Sequence, residues 1–173
     1  MMDHFERLGL PRRFSVDAVA LEREYFARSR LVHPDLHAVM NSEATEQSAL
    51  LNTAYQTLSD PFKRAEYYLS LLGGPTARDE KGQDQAFLFE MMELREQLES
   101  LAGDADAIAK AEEELTDRRN AVIDVAARQF AKIEAAGTAD SATRADLLAI
   151  RKELNAAKTL ASLIRGLTDP GID

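Results

Sequence analysis

The chain has 173 residues, 45% hydrophobic and 29% charged, with a net charge of −9 and an isoelectric point near 4.9. That balance fits one globular domain or two small ones with buried cores. It argues against a generic nucleic-acid binder, which works by neutralising phosphates. The absence of cysteine excludes disulfides, thiolate zinc sites, Cys-ligated iron–sulfur clusters and Cys nucleophiles.

The acid is unevenly spread. Residues 1–74 carry 8 basic and 10 acidic side chains, net −2, whereas residues 75–173 carry 13 and 20, net −7. Two surfaces of different character, suited to two tasks, are implied. No run reaches the roughly 18 apolar residues that span a bilayer. The polar start "MMDHFERLG", with no signal-peptide pattern, points to the cytoplasm.

Helical periodicity runs through the chain, without strand-type alternation. The first predicted helix covers Asp3 to Leu8 and stops at Gly9-Leu10-Pro11. Ser15 is the predicted N-cap of the second, with Asp17 in its first turn and Ala18, Leu21, Tyr25 and Val32 on one stripe. Pro34 disfavours helix at His33 and ends that element. A third helix is expected over 42–58 with Leu50, Leu51, Ala54 and Leu58 inward. "SDP" then places an N-cap at Asp60 and Pro61 in the first turn of a fourth helix, which carries Phe62, Ala65, Tyr68, Leu69 and Leu72 until Gly73-Gly74-Pro75.

Residues 75–83, "PTARDEKGQ", have no apolar anchors and read as a linker. Beyond them lie three helical patterns, about 84–102, 105–136 and 140–167, broken at "AGDAD" and "AAGTADS". Short loops between long helices predict an antiparallel three-helix bundle. Its clearest seam is Leu147, Ile150, Leu154, Ala157, Leu160, Ile164 and Leu167.

The stretch "RLVHPDLHAVM" allows three readings. His33 oriented by Asp35 has the elements of a general base, but no nucleophile or pocket accompanies it. His33 and His37 stand at i, i+4, a metal-ligand spacing on a helix, but Pro34 works against a helix there. The plainest reading is a helix stop followed by a surface loop.

The helix predicted over 84–102 reads differently on its two sides. At 100° per residue, Phe87, Met91, Leu94, Leu98 and Leu101 form one narrow stripe that suits a core. Leu88, Phe89 and Met92 fall opposite, interleaved with Glu93, Glu96 and Glu99. Carboxylates are rarely buried unpaired. This back face is therefore an exposed apolar-acidic patch of the kind that meets a partner, with Met92 suited to repacking around it.

Taken together, "MDHFERLGLP", "FSVDAVALEREYFARSRLVHPD" and "LLNTAYQTLSDPFKRAEYYLSLLG" resemble the J-domain of DnaJ-type co-chaperones. "RAEYYLSLLG", the linker and "DQAFLFEMMELREQLE" narrow the resemblance to the HscB family of iron–sulfur cluster co-chaperones. The resemblance implies an all-α protein. Residues 1–74 would be a J-domain, a helical hairpin with short flanking helices, 75–83 a linker, and 84–173 the scaffold-binding three-helix bundle.

It also implies a co-chaperone that is no enzyme and binds no cofactor or metal. Its partners would be an HscA-type heat-shock-seventy-class ATPase, which it stimulates, and the iron–sulfur scaffold IscU, which it delivers for cluster transfer. No nucleic acid or membrane is expected, and the chain is a monomer or weak dimer. Since many eukaryotic members carry an N-terminal Cys-rich extension, a chain without one fits the bacterial, cytoplasmic form.

Carried over by motif, the ATPase-docking residues are His33, Pro34 and Asp35, with Arg23, Arg28, Arg30, Lys63 and Arg64 as basic support. The scaffold-binding residues are Leu88, Phe89, Met92, Glu93 and Glu96. The chain departs from the family where Leu36 replaces a basic residue after the tripeptide, Glu22 and Glu24 dilute the basic second helix, and Ser100 and Ala156 replace an acid and an aromatic. The alternative is a J-domain co-chaperone presenting a different client to a general chaperone ATPase.

Overall fold

The structure, a computed structural model, describes residues 2–31, 42–137 and 142–168, with only the backbone of 42–44. His33, Pro34, Asp35, Leu36 and His37 lie outside the described residues. Among the described residues all regular structure is helical: α1 (His4–Leu8), α2 (Ala18–Leu31), α3 (Ser42–Ser59), α4 (Pro61–Leu71), α5 (Gln85–Glu99), α6 (Ala105–Ala135) and α7 (Arg144–Thr168). None of these helices is long and apolar enough to cross a membrane. The chain divides into two compact units, Met1–Tyr68 and Leu69–Asp173, with α4 running across the division.

In the first unit, α1 is a single turn and a half that needs help at both ends. Asp3 and Glu6 form a reciprocal capping box: Glu6 N–H donates to Asp3 Oδ1 at 2.8 Å and Asp3 N–H to Glu6 Oε2 at 3.0 Å. Arg12 Nε grips the second Asp3 oxygen at 2.8 Å. Burial would raise the Asp3 pKa, but the Glu6 N–H and the Arg12 guanidinium outweigh it and hold the carboxyl below its ordinary value. Gly9 ends the helix in a left-handed turn (φ 66°), and a Cβ there would strike the Arg28 guanidinium lying across it. Arg28 therefore spans from α2 to the end of α1.

The N-cap of α2 is Asp17, not the expected Ser15. Asp17 Oδ1 accepts from the N–H groups of Val19 and Ala20 at 2.8 and 3.1 Å. The carboxylate reaches two orphan donors from the residue next to the helix, whereas Ser15 is two positions too early. On α2 only Leu21 is fully buried, and Ala18 faces solvent. Tyr25 closes the gap to α3: its ring stacks on Tyr55 (centroids 4.2 Å apart) and its hydroxyl donates to Asn52 Oδ1 at 2.8 Å.

From α3 the core receives Leu51, Ala54 and Leu58, while Leu50, expected inward, is 36% exposed. Neighbours on a helix stand 100° apart, so one narrow core takes Leu51 and turns Leu50 outward. Asp60 caps α4 as expected, accepting from Lys63 N–H at 2.9 Å. Ala65 and Tyr68 then complete this core, Tyr68 edge-on to Phe5.

In the second unit, Met91 of α5, Leu115 of α6 and Leu160 of α7 form one buried cluster. Phe87, Leu94 and Leu98 pack around it from α5, Val122 from α6, and Leu163, Ile164 and Leu167 from α7. Leu115 lies well before the α6–α7 connection and Leu160 comparably far after it, so those two helices run antiparallel. The predicted α7 seam holds: Leu147, Ile150, Leu154, Ala157 and Leu160 are all buried. The helix itself starts at Arg144, later than the expected 140. A Thr143–Asp146 box caps it, with Thr143 N–H donating to Asp146 Oδ2 at 3.0 Å and Asp146 N–H to Thr143 Oγ1 at 3.2 Å.

The segment expected to be a plain linker is tied to α7. Asn155 Nδ2 donates to the Glu80 carbonyl at 2.9 Å and Gln83 Nε2 to that of Lys152 at 3.4 Å. Without large apolar anchors, the segment is held by two amide side chains, one from α7 to its backbone and one of its own to the α7 backbone.

Candidate functional site

Asp84 opens α5, accepting from Ala86 N–H at 2.8 Å. From there the 4-3-4-3 apolar stripe turns Met91 fully inward and Phe87, Leu94 and Leu98 partly so. That choice forces the opposite side out: Leu88 is 45%, Phe89 63% and Met92 66% exposed. Glu93, Glu96 and Glu99 are exposed among them. Leu88, Phe89 and Met92 thus form an apolar strip about one helical turn long, edged by carboxylates. Three adjacent large apolar side chains in water cost free energy unless something covers them part of the time.

Two ion pairs frame this strip. Arg95 Nε meets Glu99 Oε1 at 3.3 Å along α5, and Arg118 Nη2 of α6 meets Glu90 Oε1 at 2.7 Å. The Arg118 hydrogen bond pulls the Glu90 pKa below its ordinary value. The Glu90–Arg118 pair crosses between α5 and α6. The sequence reading missed it because it links positions far apart in the chain. Ser100 ends α5 exposed, its hydroxyl donating to the Gln97 carbonyl at 2.6 Å. Ala156 is buried.

The basic residues expected to support docking in the first unit are put to different uses. Arg23 is exposed and its Nη2 lies 3.3 Å from Glu24 Oε1; Arg30 and Lys63 are also exposed. Arg28 Nη2 lies 3.9 Å from Glu24 Oε2, with its guanidinium over Gly9. Arg64 is half-buried: Nη1 donates to the Leu58 carbonyl at 2.8 Å, and the guanidinium sits 5.1 Å from the centre of the Phe14 ring. Burial lowers the Arg64 pKa against the opposing field of Asp60. Arg64 thus closes the end of α3 against Phe14, and Arg28 joins α2 to α1. His33, Pro34 and Asp35 belong to the segment outside the described residues. Among the described residues no cluster of three or more His, Asp or Glu is placed to hold a metal.

Two family models match the chain: the DnaJ domain over residues 3–68, and the HSCB C-terminal oligomerisation domain over residues 83–158. The co-chaperone protein HscB homolog of Vibrio cholerae serotype O1 (strain M66-2) is 44% identical over 110 residues. That stretch is 61% of this chain and 64% of the relative, so the match spans just under two thirds of the Vibrio protein's length. The homolog from Bordetella petrii is 39% identical over 122 residues, 68% of this chain and 72% of the relative.

Among solved structures, the chaperone HscB from Vibrio cholerae superposes with a TM-score of 0.76 at 33% identity, covering 96% of both chains. The human co-chaperone protein HscB gives 0.74 at 24% identity, covering 98% of this chain and 83% of that one, a likeness of fold. The fold is thus an N-terminal J-domain followed by a helical C-terminal domain.

Proposed function

Since the chain belongs to the HscB co-chaperone family, we propose that it stimulates an HscA-type chaperone ATPase and presents to it an iron–sulfur scaffold protein of the IscU kind. In this reading residues 1–74 act as the J-domain, 75–83 as the joining segment and 84–173 as the scaffold-binding bundle, in the cytoplasm. The chain performs no bond chemistry. Hydrolysis takes place in the ATPase, and the cluster is cargo carried by the scaffold.

The observation that carries the reading is the outward face of α5. Leu88, Phe89 and Met92 are exposed while Phe87, Met91 and Leu94 anchor the same helix. The apolar strip supplies the affinity, and Glu93 and Glu96 select a partner with basic groups around an apolar centre. On the other unit, Asp35 and His33 bias the ATPase toward hydrolysis by contacting it directly. Exposed Arg23, Arg30 and Lys63 speed the encounter, since rim charges act chiefly on association. Arg28 and Arg64 contribute by holding the hairpin that carries the tripeptide.

Replacing Leu88, Phe89 and Met92 together by alanine lowers scaffold affinity about a hundredfold by calorimetry. Stimulation of the ATPase by the chain alone survives. Unchanged scaffold affinity removes the α5 assignment, and capture of a different client in its place points to a general co-chaperone. Asp35→Asn or His33→Gln abolishes stimulation while the circular dichroism spectrum stays intact. Normal stimulation by both overturns the J-domain role.

A further inference from the structure

The joining segment 75–83 and α7 enclose a hollow that none of the roles above uses. Two hydrogen bonds set the segment's course: Gln83 meets the backbone of Lys152, and Asn155 meets that of Glu80. Numbers fall along the segment as they rise along α7, so the two run antiparallel. Lys158 stands three residues beyond Asn155, about 4.5 Å further along the helix. There the segment and α7 leave an open hollow of about 730 Å³, lined by Thr76, Ala77, Arg78, Asp79, Lys81 and Lys158.

Its charge runs against its surroundings. Residues 75–173 hold 20 acidic and 13 basic side chains, and other cations of this unit take acidic partners: Arg95 with Glu99, Lys110 with Glu114 and Arg118 with Glu90. Arg78, Lys81 and Lys158 make no ion pair among the described residues. Asp79, the one acid of the lining, is turned to Thr76 instead. Its Oδ2 accepts from the Thr76 hydroxyl at 2.7 Å and from the Thr76 N–H at 3.2 Å. Those bonds, with no help from a cation, hold its carboxyl below its ordinary pKa. Glu80 next to it accepts from Gly82 N–H at 2.9 Å. Three cations gathered at one hollow repel one another unless an anion sits among them.

We propose that this hollow binds a short phosphate chain, free or carried by a nucleoside triphosphate, through Arg78, Lys81 and Lys158. Three cations outnumber the single acid of the lining, and Arg78 offers the planar fork that suits phosphate oxygens. The volume lies in the range of small-ligand sites. Ala77 is the only apolar lining residue and no aromatic ring is present, so the hollow reads charge. A protein partner would need an apolar centre that the lining does not supply. The site lies apart from the strip on α5 and does not depend on the co-chaperone reading.

The test titrates the full, isotope-labelled chain with tripolyphosphate, ATP and inorganic phosphate in magnesium-free buffer at fixed ionic strength, reading backbone amide shifts. Tripolyphosphate shifts residues 76–81 and Lys158 saturably. ATP binds within about threefold of it, because the base finds no partner, and inorganic phosphate binds about tenfold more weakly. Lys158→Gln raises the dissociation constant about fivefold, and Arg78→Gln, Lys81→Gln and Lys158→Gln together raise it about fiftyfold. All three side chains are exposed, so these variants keep the parent's circular dichroism spectrum. Lys110→Gln, which removes the same charge from α6, binds as the parent does.

Shifts spread over the surface instead of gathered at the hollow overturn the proposal, as does a triple variant that binds like the parent. ATP binding without tripolyphosphate binding also overturns it, since the affinity then belongs to the base. So does binding of an acidic glutamate peptide where neither phosphate compound binds, which makes the hollow a protein contact.

Discussion

Helices α2 and α5 are nearly the same length, 14 and 15 residues, and each buries one residue fully, Leu21 in the first and Met91 in the second. Both leave a broad outward face, yet they fill it in opposite ways. On α5, apolar side chains form a strip and the carboxylates stand at its edges. On α2, acids and bases alternate closely enough to pair with one another, and a single aromatic projects. The first pattern exposes apolar area; the second exposes charge that is largely paired within the helix. Helices of 14 and 15 residues are marginal in isolation, so each owes its order to the core contacts it makes. Each outward face is therefore only as well placed as the core beneath it.

Substitutions that undercut one core or trim one face break or sharpen this contrast. The largest expected effect comes from Leu160→Ala, which empties the centre of the α5–α6–α7 cluster and costs about 2–5 kcal/mol of unfolding free energy in urea titration. Stimulation of the ATPase by the first unit persists, while scaffold binding falls with the fraction of folded bundle.

A smaller effect, about 1 kcal/mol, follows from Asp3→Asn, which keeps a capping side chain but removes the charge that Arg12 grips. Because the folded Asp3 pKa is depressed, its contribution is present above the unfolded value of about 3.9 and is lost as pH falls through the lower folded value. Acid unfolding of Asp3→Asn is correspondingly flatter below about pH 4. The smallest change belongs to Phe89→Ala, which leaves melting within about 0.5 kcal/mol of the parent because the side chain is 63% exposed. A large loss of stability there means that the strip is packed against the protein rather than offered to a partner.

Much of this was legible in the chain. The α5 strip follows from period alone, since a stripe at 87, 91, 94 and 98 leaves Leu88, Phe89 and Met92 no route to the core. The Gly9, Asp60 and Gly73 boundaries were equally plain, because caps and breakers act locally. What was not legible depends on reach across space. Leu50 and Leu51 looked equivalent until one core had to choose between them.

Arg64 reads as a free charge in sequence, yet its long side chain folds back onto Phe14 and the Leu58 carbonyl. Arg151 is fully buried in α7, at a position that the apolar seam flanks but does not include. The Glu90–Arg118 pair and the Asn155 tie to Glu80 join residues distant in sequence, and no periodicity reveals such pairs.

The most direct test of a two-faced co-chaperone is the ATPase rate of the HscA-type chaperone, measured with this chain, with the scaffold protein, and with both. Two functional faces on one chain predict that the combined stimulation exceeds the sum of the separate ones, and that alanine at Leu88, Phe89 and Met92 removes the excess while leaving the stimulation by the chain alone. A combined rate no greater than that sum, or an excess untouched by those three substitutions, would contradict it.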